Sequence, residues 1–197
     1  MKNIPFLLIY SRAAIAFIIL GLAYFAPPHH PKIIVALIIL GLITDVFDGI
    51  IARKLGVASE KLRQWDSNVD QLFWLATIAA IIYMQLPAIK PLFIQIIILL
   101  VFEALAYLIS FFKFKRTVAT HSLLAKIWTL TLLIFLIEVT LFGTTKTFWL
   151  CFWVGLVSRL EICAILLFLK EWTTDVPSIF AVPRINRGEK PKKRLLF

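Results

Sequence analysis

The sequence predicts an all-α, polytopic integral membrane protein, with six transmembrane helices and an N-terminal juxtamembrane segment. Composition is the first reason. Of 197 residues, 61% are hydrophobic and only 16% charged, where a soluble domain carries about 25% charged residues. The second reason is the spacing of apolar runs, at residues 11–26, 33–51, 69–86, 92–112, 123–142 and 148–169. Each approaches the roughly 20 residues that a helix needs to cross the hydrocarbon layer, the first being the shortest. The third is the placement of Lys and Arg. With the N-terminus cytoplasmic, that side receives Lys2, then Arg53, Lys54, Lys61 and Arg63, then Lys113, Lys115, Arg116 and Lys126, and finally the basic tail. The far side receives Lys32, Lys90 and Lys146. The bias puts both termini on the cytoplasmic face of the cell's inner membrane. It also accounts for the net charge of +10 without a nucleic-acid partner.

In chain order, Pro5 suits a helix start, and Lys2 and Arg12 bracket a segment able to lie in the headgroup layer. Arg12 reads equally as a snorkelling side chain or as a functional one. It interrupts the first apolar run, and no A-x-A-like site follows, so a cleaved signal peptide is not expected. Pro27-Pro28-His29-His30-Pro31 reads as an exposed turn on the far side rather than a metal site. Leu55-Gly56 is a helix stop and Ser59-Glu60 a restart, which makes a short cytoplasmic hairpin between the second and third runs. Glu103 interrupts the fourth run, and an acid within a membrane is either functional or paired with a base. Lys113, Lys115 and Arg116, near His121 and Lys126, form either a headgroup anchor or a cationic pocket for an anionic substrate. In the sixth run, Arg159 either binds a phosphate or neutralises Glu161, Glu103 or Glu138. Cys151 and Cys163 stand twelve residues apart on one helix, roughly 18 Å, and read as small buried hydrophobes. From Thr173 the prolines and the closing run of lysines suggest a loosely ordered tail rather than another helix. Residues 1–172 therefore read as one membrane domain and 173–197 as a basic cytoplasmic tail.

The chemistry concentrates between Asp45 and Asp70. Asp45 and Asp48 are three apart and Asp66 and Asp70 four apart, so each pair shares one face of a helix. The hairpin folds the second pair back towards the first. Carboxylates near lipid are costly when unpaired, so four together suggest a bound cation. An oxygen-only set with neither His nor Cys favours Mg²⁺, Mn²⁺ or Ca²⁺ over zinc. Gly49 and Ala52, beside the first pair, leave room for a large group to approach the backbone.

These residues resemble the signature of the CDP-alcohol phosphotransferase family (the CDP-alcohol phosphatidyltransferases), D-x2-D-G-x2-A-R-x8-G-x3-D-x3-D. Asp45, Asp48, Gly49, Ala52, Arg53, Asp66 and Asp70 fill it in register, and Leu62 stands at its second glycine. Pro5 and Arg12 match part of a second family pattern, P-N-x-x-T-x-x-R. Lys126 and Thr129 match two positions of the G-K-x-K-T segment of phosphatidylglycerophosphate synthases, where Trp128 replaces the second lysine.

The resemblance implies transfer of a phosphatidyl-type group from a CDP-linked lipid such as CDP-diacylglycerol to an alcohol, with release of CMP at the cytoplasmic boundary. It implies two Mg²⁺ or Mn²⁺ ions on Asp45, Asp48 and Asp66, with Asp70 near enough to share one and acting as the catalytic base. It implies a CDP site at Asp45, Gly49, Ala52, Arg53 and Asp66, and a homodimer. Cations at Lys113, Arg116, Lys126 and Arg159 tilt the acceptor towards a small phosphorylated alcohol, such as glycerol 3-phosphate or inositol phosphate, with serine or a lipid alcohol as alternatives. Two rival readings stay open. One is a cation transporter or channel, whose acids belong near the bilayer midplane rather than at its edge. The other is an inactive member of the family.

Overall fold

In a computed structural model the chain is helical, with no strand among the described residues. Those are residues 4–55, 60–118, 120, 122–174 and 176–189, less the side chains of 4, 5, 52, 53, 60, 61 and 63. In order come α1 (Ile4–Phe25), α2 (His30–Lys54), α3 (Glu60–Met84), α4 (Leu86–Ile89) and a 3-10 turn at Lys90–Leu92. Then follow α5 (Phe93–Phe114), α6 (Leu123–Phe142), α7 (Phe148–Phe168), a 3-10 turn at Ile179–Ala181 and α8 (Val182–Ile185).

Each of the six expected apolar runs lies on a long helix. Five stretches are long and apolar enough to cross a membrane: Phe6–Phe25, His30–Ile51, Leu86–Phe114, Leu123–Phe142 and Phe148–Phe168. α3 differs because Glu60, Lys61, Arg63, Asp66 and Asp70 fill its first turns, leaving 71–84 uncharged. The N-terminal segment is continuous with the first apolar run. α1 runs unbroken from Ile4, with Pro5 in its first turn, where the missing N–H costs nothing. The expected stop and restart fall at Lys54 and Glu60, while the connection 56–59 lies outside the described residues.

The chain divides into two compact units, Met1–Pro91 with Leu133–Thr145, and Leu92–Leu132 with Lys146–Phe197. In the first unit α1 packs along both α2 and α3. Its buried stripe is Ile9, Arg12, Ala16, Ile19 and Ala23, at the alternating three- and four-residue spacing of a helix seam. α3 answers with Leu62, Val69, Phe73, Ala76 and Ala80, and α2 with Ile34, Ile38 and Gly41. Lipid tails are as apolar as leucine, so such helices gain from close packing rather than from escape from water, and small seam residues allow the approach. Gly41 is one of them. A Cβ there would run into the Phe73 ring. Asp45 and Asp48 continue the α2 seam towards the end of the helix.

In the second unit α5 packs on α7. Ala106, Val118, Ile162, Cys163 and Leu166 form its core, with Tyr107, Ile109, Phe114 and Ala125 packed around them. Both cysteines are free and buried. The segment after α7 departs from the expected loose tail. Val176 and Val182 are buried against Ile165 and Leu169. The Asn186 amide donates to the Phe168 carbonyl at 2.9 Å, and its oxygen accepts from the Lys170 N–H at 2.9 Å. Trp172 Nε1 donates to the Thr117 carbonyl at 3.0 Å, and the Leu123 N–H to the Pro177 carbonyl at 3.0 Å. Proline content signalled an end to long helices, and these contacts supply the order that composition hides. The basic stretch from Lys190 onward lies outside the described residues.

Candidate active site

The site in the first unit is built at the ends of three helices. Asp45 and Asp48 lie in the last turns of α2, Asp66 and Asp70 near the start of α3, and Arg12 in the third turn of α1. At 1.5 Å per residue the four acids stand about 9 to 15 Å inside their helix ends.

One guanidinium joins all four. Arg12 Nη1 donates to Asp45 Oδ1 at 2.7 Å and to Asp70, while Nη2 donates to Asp66 Oδ1 at 2.5 Å and to Asp48. The planar fork of arginine suits this, because its two terminal nitrogens can each serve two acceptors. Arg12 is therefore not a snorkelling side chain; it is 1% exposed. Exposure of the acids is graded. The Asp48 side chain is 4% exposed and that of Asp45 37%, with Asp66 and Asp70 between them. Asp48 is thus the floor of the cluster and Asp45 its open edge.

Leu62 anchors this arrangement from the side. It is buried in one cluster with Ile9 and Val69, against which Ala13 packs, so it helps to hold α3 on the turns of α1 that flank Arg12. A glycine at that position would leave the contact unmade. Gly49 is half-buried one residue beyond Asp48. The side chains of Ala52 and Arg53, expected to face the nucleotide, lie outside the described residues.

The donor set fits a hard divalent cation. Asp45, Asp48 and Asp66 each offer a carboxylate oxygen, and these oxygens lie within 4.8 Å of one another. An all-carboxylate cradle of that size suits Mg²⁺ or Mn²⁺, whose bonds to oxygen are near 2.1 Å for Mg²⁺. No other group of three or more acids, histidines or cysteines among the described residues is placed to hold a metal. His29 and His30 form the expected turn, with His30 Nδ1 2.9 Å from the Pro27 carbonyl.

The cations expected to bind the acceptor are all in the second unit, and three of them have other partners. Arg159 pairs with Glu103 Oε2 at 2.7 Å, and its guanidinium lies 4.2 Å from the centre of the Trp128 ring. Trp128 also fills the space over Gly155, one turn before Arg159. Lys113 Nζ donates to the Leu166 carbonyl at 3.0 Å and to the Leu167 carbonyl at 2.5 Å. It thus satisfies the orphan acceptors of the last turn of α7. Arg116 is exposed and stacks 4.7 Å over Trp172, and Lys126 is exposed in the first turn of α6.

A family model for CDP-alcohol phosphatidyltransferase matches residues 2–175. The chain belongs to that family, a class of membrane transferases of phospholipid biosynthesis. No curated protein and no solved structure matches it.

Proposed function

We propose that this protein moves a phosphatidyl group from CDP-diacylglycerol to the hydroxyl of a small alcohol and releases CMP at the cytoplasmic face of the membrane. The observation that carries the reading is the convergence of Asp45, Asp48, Asp66 and Asp70 on one point at the helix ends.

Asp45, Asp48 and Asp66 would hold Mg²⁺ or Mn²⁺. Such ions, when bound, neutralise a diphosphate and polarise the phosphorus under attack. Asp70 is the base: it takes the proton of the acceptor hydroxyl as that oxygen forms its bond to the phosphatidyl phosphorus. The bond from that phosphorus to the bridging diphosphate oxygen breaks in the same displacement, and CMP leaves with the electron pair. An aspartate is a weak base, so alignment of acceptor and donor supplies much of the rate. The family resemblance assigns Gly49 and Ala52 to the nucleotide beside Asp48 and Arg53 to one of its phosphates. Placement at a membrane edge lets the acyl chains of the donor stay in lipid while the nucleotide stays in water. A transporter would instead need its acids near mid-membrane.

For the acceptor we infer a small phosphorylated alcohol, the class of anion that the cations Lys113, Arg116, Lys126 and Arg159 suit. The test is product analysis. Purified protein in vesicles containing CDP-diacylglycerol, with Mn²⁺ and a panel of alcohols, should yield one new phospholipid, named by its mass. Failure of every acceptor, lipid alcohols included, would contradict the reading.

A further inference from the structure

Four carboxylates share one arginine at the centre of the candidate site. Each gives it one oxygen, and the acceptors of its two terminal nitrogens include the same Asp45, Asp48 and Asp66 that form the cation cradle. The side chain comes from α1, whereas the acids come from α2 and α3. It reaches them from a buried position on the α1 seam. A guanidinium lodged among these carboxylates competes with a divalent ion for them, because the two cations seek the same negative charge and repel one another.

We propose that Arg12 is a built-in counter-cation that exchanges with the metal. With no divalent ion present it holds the four aspartates together and keeps α1, α2 and α3 joined at this end. When Mg²⁺ or Mn²⁺ arrives by the open edge at Asp45, the guanidinium withdraws from Asp45, Asp48 and Asp66. This also releases Asp70, which the guanidinium otherwise occupies. The inference rests on the proposed metal site but concerns the resident cation, not the transfer reaction.

Exchange has a measurable signature. A site closed by its own cation binds an outside one more weakly, in proportion to the fraction of time it is open. If Arg12 closes the cluster at least nine-tenths of the time, Arg12→Gln should bind Mn²⁺ about tenfold or more tightly than the wild type. In EDTA the same variant should melt at a lower temperature than the wild type, and Mn²⁺ should raise its melting temperature by more. Should Arg12→Gln fold only with metal, it can be purified in Mn²⁺ and compared with Arg12→Lys, which keeps the charge but not the fork. A position-specific readout completes the test. In protein labelled with ¹⁵N-arginine, the slowly rotating guanidinium signal that Arg12→Lys removes should change on adding Mg²⁺.

Mn²⁺ affinity equal to or weaker than wild type in Arg12→Gln would overturn the exchange, as would an Arg12 signal that ignores Mg²⁺. Absence of Mn²⁺ binding in both proteins would overturn it together with the metal site. Tightened binding without any CMP release would support the exchange while removing the transferase reading.

Discussion

Arg12 and Asp48 form an ion pair in which the two side chains are 1% and 4% exposed, and it closes the floor of a cluster most open at Asp45. Breaking one side of such a pair leaves a buried charge without a partner, which is far costlier than losing a surface contact. Three helices meet at this pair, so the same contacts that hold the first unit together define its chemistry.

The second buried pair, Glu103 with Arg159, gives the clearest energetic test. Glu103→Leu should destabilise the protein by about 3–5 kcal/mol, because it strands the guanidinium between Trp128 and hydrocarbon. The double variant Glu103→Leu with Arg159→Met should regain most of that loss. Thermal melts in detergent of the two single variants and the double variant measure the coupling.

Leu62 is predicted to be structural. Leu62→Gly should remove its contact with Ile9 and Val69, at about 2–5 kcal/mol for the packing. Leu72→Gly, on the same helix but exposed, should cost only the helix propensity of about 1 kcal/mol. Equal melting temperatures for the two variants would remove Leu62 from the anchoring role.

Close approach at Gly41 makes a sign-definite prediction. Gly41→Ala should lower stability by about 1–3 kcal/mol by forcing the Phe73 ring aside. Adding Phe73→Leu should return part of it. An unrelated glycine with open space, Gly21, should tolerate alanine without loss.

The returning segment after α7 predicts a capping effect. Asn186→Ala removes two hydrogen bonds, to Phe168 and from Lys170, and should cost about 0.5–1.5 kcal/mol for each. It should also expose residues 170–189 to faster limited proteolysis. An unchanged cleavage rate would mean that this segment does not depend on the cap.

What could be read in the sequence was local, and what could not was long-range. Asp45, Asp48, Asp66 and Asp70 stood out by spacing, because helical periodicity turns three- and four-residue intervals into shared faces. Their common partner did not. Arg12 lies 33 to 58 residues away from them, and from sequence alone it looked as much like an interfacial cation as a functional one. A usable signal was present: Arg12 interrupts the otherwise apolar spacing of Ile9, Ala16, Ile19 and Ala23, and a cation in a buried seam must find an acid. Lys113 shows the reverse. Its charge suggested a substrate anion, while its actual acceptors are backbone carbonyls, which no side-chain pattern reveals. Val176 and Val182 were hidden among prolines whose local meaning was only that a long helix had ended.

The most direct test of the account is CMP release from CDP-diacylglycerol with Mn²⁺ and the active acceptor, comparing wild type with Asp66→Asn at matched melting temperature. The account predicts metal-dependent release by the wild type and a loss of at least about 100-fold in the variant, the scale on which a key electrostatic group acts. Full release by a folded Asp66→Asn protein would contradict the placing of the catalytic centre at the four aspartates.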